Sequence, residues 1–99
     1  MFFVSKTKKE LTIPEFLDHL DTDIYDDDLI IVEMPTNPKG VFYILASYGS
    51  DYIFINVENG QALSSPEKSA KQLVLTHGND IESAYICETM EEVANVILS

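Results

Sequence analysis

Residues 41–57 read VFYILASYGSDYIFINV, two strand-like runs that flank Gly49 and Ser50. A two-residue turn with glycine first is typical of a type II′ β-hairpin. This turn pairs Ala46 with Ile53, and the alternation of strand side chains then gives the hairpin two faces. The aliphatic face consists of Phe42, Ile44, Ala46, Ile53, Ile55 and Val57, and the aromatic face consists of Tyr43, Leu45, Tyr52 and Phe54 with Ser47 and Asn56.

The two faces predict different roles. The aliphatic face is predicted to pack against helices and to form the core. The aromatic face of Tyr43, Leu45, Tyr52 and Phe54 is predicted to be an interaction surface, because Tyr and Phe are enriched at protein interfaces. Left uncovered, it would favour a homodimer or another partner. The sequence leaves one alternative open, in which the third helix or the N-terminal strand of the same chain covers this face.

Three segments carry the pattern of a helix N-terminus, Thr12–Glu15, Ser64–Glu67 and Thr89–Glu92. In such a capping box the hydroxyl accepts a hydrogen bond from the third helical N–H, and the Glu side chain reaches back. Pro66 would lie in the first turn of the second helix, and Gly78 would end it. Apolar stripes at helical spacing accompany the three boxes: Ile13, Phe16, Leu17 and Leu20; Ala70, Leu73 and Val74; Met90, Val93, Ala94 and Ile97.

Strands are predicted over residues 29–34, 41–48, 52–57 and 83–88, with residues 2–5 as a fifth candidate. The order (β)-α-β-β-β-α-β-α predicts an α+β fold. The expected architecture is a two-layer sandwich, with a mostly antiparallel sheet of four to five strands against three helices, in a single acidic domain spanning residues 1–99. The predicted core comprises Phe16, Leu20, Phe42, Ile44, Ile53, Ile55, Leu73, Val93 and Ile97.

The charge of the chain limits its partners. It has 17 Asp and Glu residues against 6 Lys and no Arg, and a formal net charge of −11, although 45% of it is hydrophobic. Direct binding to nucleic acid or to an anionic membrane is not expected, because both need a basic surface. The sequence instead predicts a folded domain that docks on a basic protein.

The strongest acidic cluster follows the first predicted helix. An EF-hand beginning at Asp21 would need Gly at position six and Glu at position twelve, where the chain has Asp26 and Val32. A solvated acidic loop or a looser divalent-metal site remain as alternatives. Acids near a helix C-terminus oppose the helix dipole, so a role in binding is favoured. The predicted acidic interaction residues are Asp18, Asp21, Asp23, Asp26, Asp27, Asp28 and Glu33.

Cys87 is the single cysteine, so no disulfide can form within the chain. A lone thiol is typical of a reducing compartment, and a cytoplasmic location is expected. Zinc would need more ligands than Cys87, His19 and His77 supply, and no cofactor or metal is predicted. The first ten residues do not have the pattern of a signal peptide, and no apolar run is long enough to span a membrane.

Two functional hypotheses follow. The first is a non-enzymatic interaction domain that docks its acidic surface on a basic partner. One form of it is an inhibitor that mimics nucleic acid and occupies a basic groove. The second is a small enzyme or divalent-metal-binding domain that uses the Asp21–Asp28 cluster or Cys87. No catalytic residue is predicted, because no nucleophile, phosphate-loop or metal-protease motif is found in the sequence.

Overall fold

The computed structural model describes residues 2–6, 9–20, 29–35 and 40–98. Within these ranges the chain forms strands and helices in the predicted succession, with one short strand added near the N-terminus. The elements are β1 (Phe3–Lys6), β2 (Lys9–Leu11), α1 (Ile13–Leu20), β3 (Leu29–Pro35), β4 (Gly40–Tyr48), β5 (Asp51–Asn56), α2 (Ala70–Thr76), β6 (Ser83–Cys87) and α3 (Met90–Leu98).

One sheet joins all of these strands in the order β2-β1-β6-β3-β4-β5. Strands β1 and β6 are parallel, and every other neighbouring pair is antiparallel. The predicted α+β class, the mostly antiparallel sheet, the three helices and the element order are therefore confirmed. The three-residue β2 adds a short edge to the five predicted strands. None of the described helices has the length and apolar character that a membrane span requires.

The β4–β5 hairpin has the predicted register. Ala46 pairs with Ile53, and Ile44 pairs with Ile55. Gly49 has a φ of +63°, while no described residue other than glycine has a positive φ. A positive φ at the first central position alone is the signature of the type II′ turn.

Replacing Gly49 with alanine is expected to lower the free energy of unfolding by about 1–2 kcal/mol, because an L-residue is strained at this φ. Nothing lies within 4 Å of the added Cβ, so the loss would come from the backbone alone. Gly78→Ala is the control, since its Cβ would meet the Val74 and Leu75 carbonyl oxygens at an ordinary 3.5 Å. Urea denaturation measures both variants. Equal losses would contradict the turn assignment.

Each face of the sheet carries its own apolar cluster, because neighbouring strand residues point to opposite sides. Helices α1 and α2 cover the larger cluster, and α3 covers the smaller one, which adds a partial third layer. The buried members of the larger cluster are Phe2, Val4, Phe16, Leu20, Ile30, Val32, Met34, Phe54, Ala70, Leu73, Val74, Ile81, Ala84 and Ile86. The buried members of the smaller cluster are Ile31, Cys87 and Val93.

The prediction of a single core on the aliphatic face is corrected by this arrangement. Helices α1 and α2 lie on the aromatic face, where Phe54 is fully buried. The hairpin register fixes which side chains share a face, but it does not say which face receives the helices. Of the predicted core, Phe16, Leu20 and Leu73 belong to the larger cluster, whereas Phe42, Ile44, Val93 and Ile97 belong to the smaller one.

Two of the three predicted capping boxes are confirmed. The Glu15 N–H donates to Thr12 Oγ1 at 3.3 Å, and the Thr12 N–H donates back to Glu15 Oε1 at 3.1 Å. At α3, the Glu92 N–H donates to Thr89 Oγ1 at 3.2 Å. The Glu92 carboxylate accepts from the Glu88 N–H, one residue before the cap, at 2.7 Å. Both helices therefore begin where the sequence places them.

The predicted start of the second helix is wrong, because α2 begins at Ala70 rather than beside Pro66. Ser69 is its N-cap, and Ser69 Oγ accepts from the Gln72 N–H at 3.0 Å. Residues 61–67 run alongside β5 instead, and Glu67 exchanges two backbone hydrogen bonds with Tyr52. The Ser64–Glu67 pattern therefore does not start a helix, because these residues pair with β5 and cover the edge of the sheet.

Candidate functional site

An apolar groove lies between α3 and the aliphatic face of the β4–β5 hairpin. Helix α3 packs mainly on the inner strands β6 and β3, so the outer strands β4 and β5 keep part of this face open. The groove has a volume of about 390 Å³. Its apolar walls are formed by Ile44, Ile55, Val57, Met90, Ala94 and Ile97.

The groove is open to solvent along α3. Met90 is 62% exposed and Val57 is 37% exposed, although both are apolar. A second pocket of about 340 Å³ continues past Val57 and Ile97 towards Phe42 and Glu58. The two pockets share Val57 and Ile97 in their walls, and we refer to them together as the apolar channel. Clefts of several hundred Å³ with mostly apolar walls have the size and character of binding sites.

Carboxylates stand at the margin of the channel. Glu58 lines the second pocket, and the Glu33 side chain lies against Gly40, which lines the same pocket. Glu91 is exposed in the first turn of α3, directly after Met90. None of the described residues that line the two pockets is a lysine. The channel therefore combines an apolar floor with a negative rim.

The aromatic face is not an uncovered surface. Phe54 is fully buried, and its ring lies 5.9 Å from the His77 ring. Tyr43, Leu45 and Tyr52 are half-buried and pack against the larger cluster. The chain's own helix α2 and residues 61–67 supply the cover, whereas the sequence suggests the third helix or the N-terminal strand for this role. This placement removes the argument for a homodimer through the aromatic face.

Only two of the predicted acidic residues lie within the described ranges. Asp18 is exposed on α1, and Glu33 is half-buried on β3. Glu33 pairs with Phe42 in the sheet and faces the α3 side, whereas α1 lies on the other side. The structure therefore does not bring these two carboxylates together. The other predicted residues, Asp21, Asp23, Asp26, Asp27 and Asp28, lie outside the described residues.

Cys87 is buried in the smaller cluster, where a free thiol behaves as a small apolar side chain. Burial raises the pKa of the Cys87 thiol, and the Glu92 carboxylate raises it further. A nucleophilic cysteine needs the opposite shift, because the thiolate is the reactive form. This environment does not favour a catalytic role for Cys87.

Cys87 is expected to react with a thiol reagent at least roughly tenfold more slowly in the native protein than in urea.

The raised pKa of Cys87 also makes the stability of the fold depend on pH. Because the pKa of this thiol is higher in the native state than in the unfolded state, its contribution to the free energy of unfolding is complete below the unfolded-state pKa. It is lost as the pH rises through the native pKa. Cys87→Ala should remove this part of the alkaline fall in unfolding free energy. Labelling kinetics and urea titrations against pH measure both effects, and equal labelling rates in the two states would refute the placement of Cys87.

The structure brings together Ser64 and His77, a pair that sequence reasoning missed. Ser64 Oγ lies 2.9 Å from His77 Nε2, and both side chains are half-buried. Among the described residues, no carboxylate is hydrogen-bonded to the other ring nitrogen, so the third member of a catalytic triad is not present there. The contact joins residues 61–67 to the end of α2. The correct start of α2 would have been needed to find it from sequence.

Metal ligation finds no support in the part of the chain that is described, since no group of three or more His, Cys, Asp or Glu side chains converges there. Compared with protein-family models, curated proteins and solved structures, the chain matches none of them.

Proposed function

We propose that this chain is a non-enzymatic protein-interaction domain that binds a basic partner protein through its acidic surface. The observation that carries the proposal is a net charge of −11 on a chain that nevertheless folds around two apolar clusters. A negative field on a rigid scaffold attracts basic surfaces and repels nucleic acid and anionic lipid. Binding through such a field raises the association rate at low ionic strength.

The described acids support this proposal because none of them is fully buried. Every buried side chain of the described residues is apolar or the Cys87 thiol. Asp80, Glu82, Glu88 and Glu91 are all exposed. These four exposed carboxylates are accessible to a partner. The segment with Asp26, Asp27 and Asp28 adds the densest charge and joins the sheet at Leu29.

The finer form of the proposal is an inhibitor that acts in the cytoplasm by occupying a basic, nucleic-acid-binding groove. Carboxylates held on a folded scaffold present a field that resembles that of phosphates. The lone Cys87 suits a reducing compartment. A basic partner is favoured over a second copy, because two surfaces of charge −11 repel each other.

The test is affinity capture on the immobilised chain from an extract of its own cells, at about 0.05 M and about 0.5 M salt, where screening differs strongly. We expect a defined set of basic proteins that elutes in high salt. Added DNA or RNA should displace the partner if the chain occupies a nucleic-acid site. Capture of acidic proteins, or retention that is insensitive to salt, would contradict the proposal.

A further inference from the structure

We infer that the apolar channel between α3 and the β4–β5 hairpin binds a segment of the partner that carries both large apolar and basic side chains. This inference rests on the proposed function and deepens it, since it adds an apolar contact to the electrostatic one. Charge alone gives attraction at long range but little shape specificity. The channel supplies the part of an interface in which a few buried apolar side chains dominate the affinity.

Helix α3 has apolar side chains that the rest of the described chain does not cover. Val93 is buried under the inner strands, whereas Met90 and Leu98 are 62% and 84% exposed. Helix α3 therefore carries an apolar stripe wider than the surface that it covers. The hairpin has the same property, because Ile55 is half-buried on the aliphatic face and Val57 is 37% exposed. Two apolar walls face each other across space that the described part of the chain does not fill.

The charge at the rim selects the occupant. Glu33 and Glu58 stand beside the second pocket, and Glu91 follows Met90 at the first. A second copy of this chain would bring the same carboxylates against them, and like charges at close range oppose association. A segment with Lys or Arg beside its apolar side chains would pair with these carboxylates instead.

The described lysines do not neutralise this rim. Lys68 Nζ lies 3.4 Å from Asp51 Oδ1, at the opposite end of β5 from Val57. Lys71 lies on α2, on the other side of the sheet. Lys6 and Lys9 lie in β1 and β2 at the far edge of the sheet. Among the residues that the structure describes, no lysine therefore offsets the negative charge at the channel.

The probes are three synthetic peptides of equal length. One has leucine along one helical face and lysine along the other, the second has serine in place of leucine, and the third has glutamate in place of lysine. Calorimetry measures affinity, and the methyl NMR signals of Ile44, Ile55 and Ile97 report contact with the channel. We expect the leucine–lysine peptide to shift these methyls saturably and to bind about tenfold more tightly than the serine–lysine peptide.

Two variants with unchanged net charge locate the contact. Met90→Gln alters the channel, and Leu75→Gln is the matched control, because Leu75 is an apolar α2 side chain that is 53% exposed. Glutamine is a good helix former, so both variants should fold. We expect Met90→Gln to weaken the leucine–lysine peptide about tenfold and Leu75→Gln to leave it unchanged.

Three outcomes would overturn the inference. They are equal losses in the two variants, an absence of methyl shifts with the leucine–lysine peptide, and equal or tighter binding of the leucine–glutamate peptide. Methyl shifts that depend on protein concentration alone, with a dimer in sedimentation, would assign the channel to a second copy and also overturn it. If salt-sensitive binding of the serine–lysine peptide persists in these cases, only this inference fails. If that peptide does not bind at low salt, the proposed function fails with it.

Discussion

Replacing Phe54 with alanine is expected to lower the free energy of unfolding by about 3–5 kcal/mol. Phe54 is fully buried in the larger cluster, and its ring packs edge-on against His77. Removing the ring forfeits its burial and leaves a cavity under α2. Small domains have only about 5–15 kcal/mol of stability in total, so the loss is a large fraction of it. Urea denaturation at constant m measures it.

The neighbouring Ile55 is the matched control, because it lies one residue away on the opposite face. Ile55 is half-buried and lines the open channel. Ile55→Ala is therefore expected to cost about 1–2 kcal/mol, less than the value for a fully buried side chain. A larger loss at Ile55 than at Phe54 would mean that the two faces of the hairpin are assigned the wrong way round.

Replacing Asp26, Asp27 and Asp28 together with asparagine is expected to slow association with the captured partner about tenfold at low ionic strength. The dissociation rate should change much less, because charges outside the closest contacts act mainly through steering. Thermal stability should stay equal or rise, since the replacement relieves repulsion between neighbouring carboxylates. Stopped-flow kinetics and thermal unfolding measure these quantities.

The control triple variant removes the same charge elsewhere, at exposed positions of the described chain: Asp80→Asn, Glu82→Gln and Glu88→Gln. A smaller effect on association is expected from it. Equal slowing by both variants would assign the attraction to net charge rather than to the segment before Leu29. If the first variant loses stability and calcium or magnesium stabilises only the wild type, the segment is a metal site instead.

The hairpin register could be predicted because it depends on local chemistry. Gly49 and Ser50 specify the turn, and the turn fixes the pairing of Ile44 with Ile55. The starts of α1 and α3 could be predicted for the same reason, since Thr12 and Thr89 cap them with nearby partners. Contacts between residues a few positions apart are encoded in short stretches of sequence.

The choice of face could not be predicted, because it depends on distant elements. Phe54 is buried by Leu73, Val74 and the residues before α2, which approach only when the chain folds back along β5. Because residues 61–67 pair with β5, α2 begins at Ala70 and not beside Pro66 as predicted. Aliphatic and aromatic faces are both apolar enough to bury, so hydrophobicity did not separate them.

The candidate site was missed for a related reason. The sequence predicts the apolar stripe of α3, which consists of Met90, Val93, Ala94 and Ile97. It does not show how much of this stripe the sheet covers. The channel exists because α3 is too short to cover the whole aliphatic face, and this depends on the three-dimensional placement of the helix. The acidic charge, in contrast, is a property of composition and needed no structure.

If the acidic surface drives binding to a basic partner, the association rate of the two proteins must depend strongly on ionic strength. The rate constant for the wild-type chain and the captured partner would be measured from about 0.05 to 0.5 M salt, across which the Debye length shortens severalfold. We expect the association rate constant to fall steeply with salt and the dissociation rate constant to change little. An association rate constant that is flat across the series would mean that charge does not drive this binding.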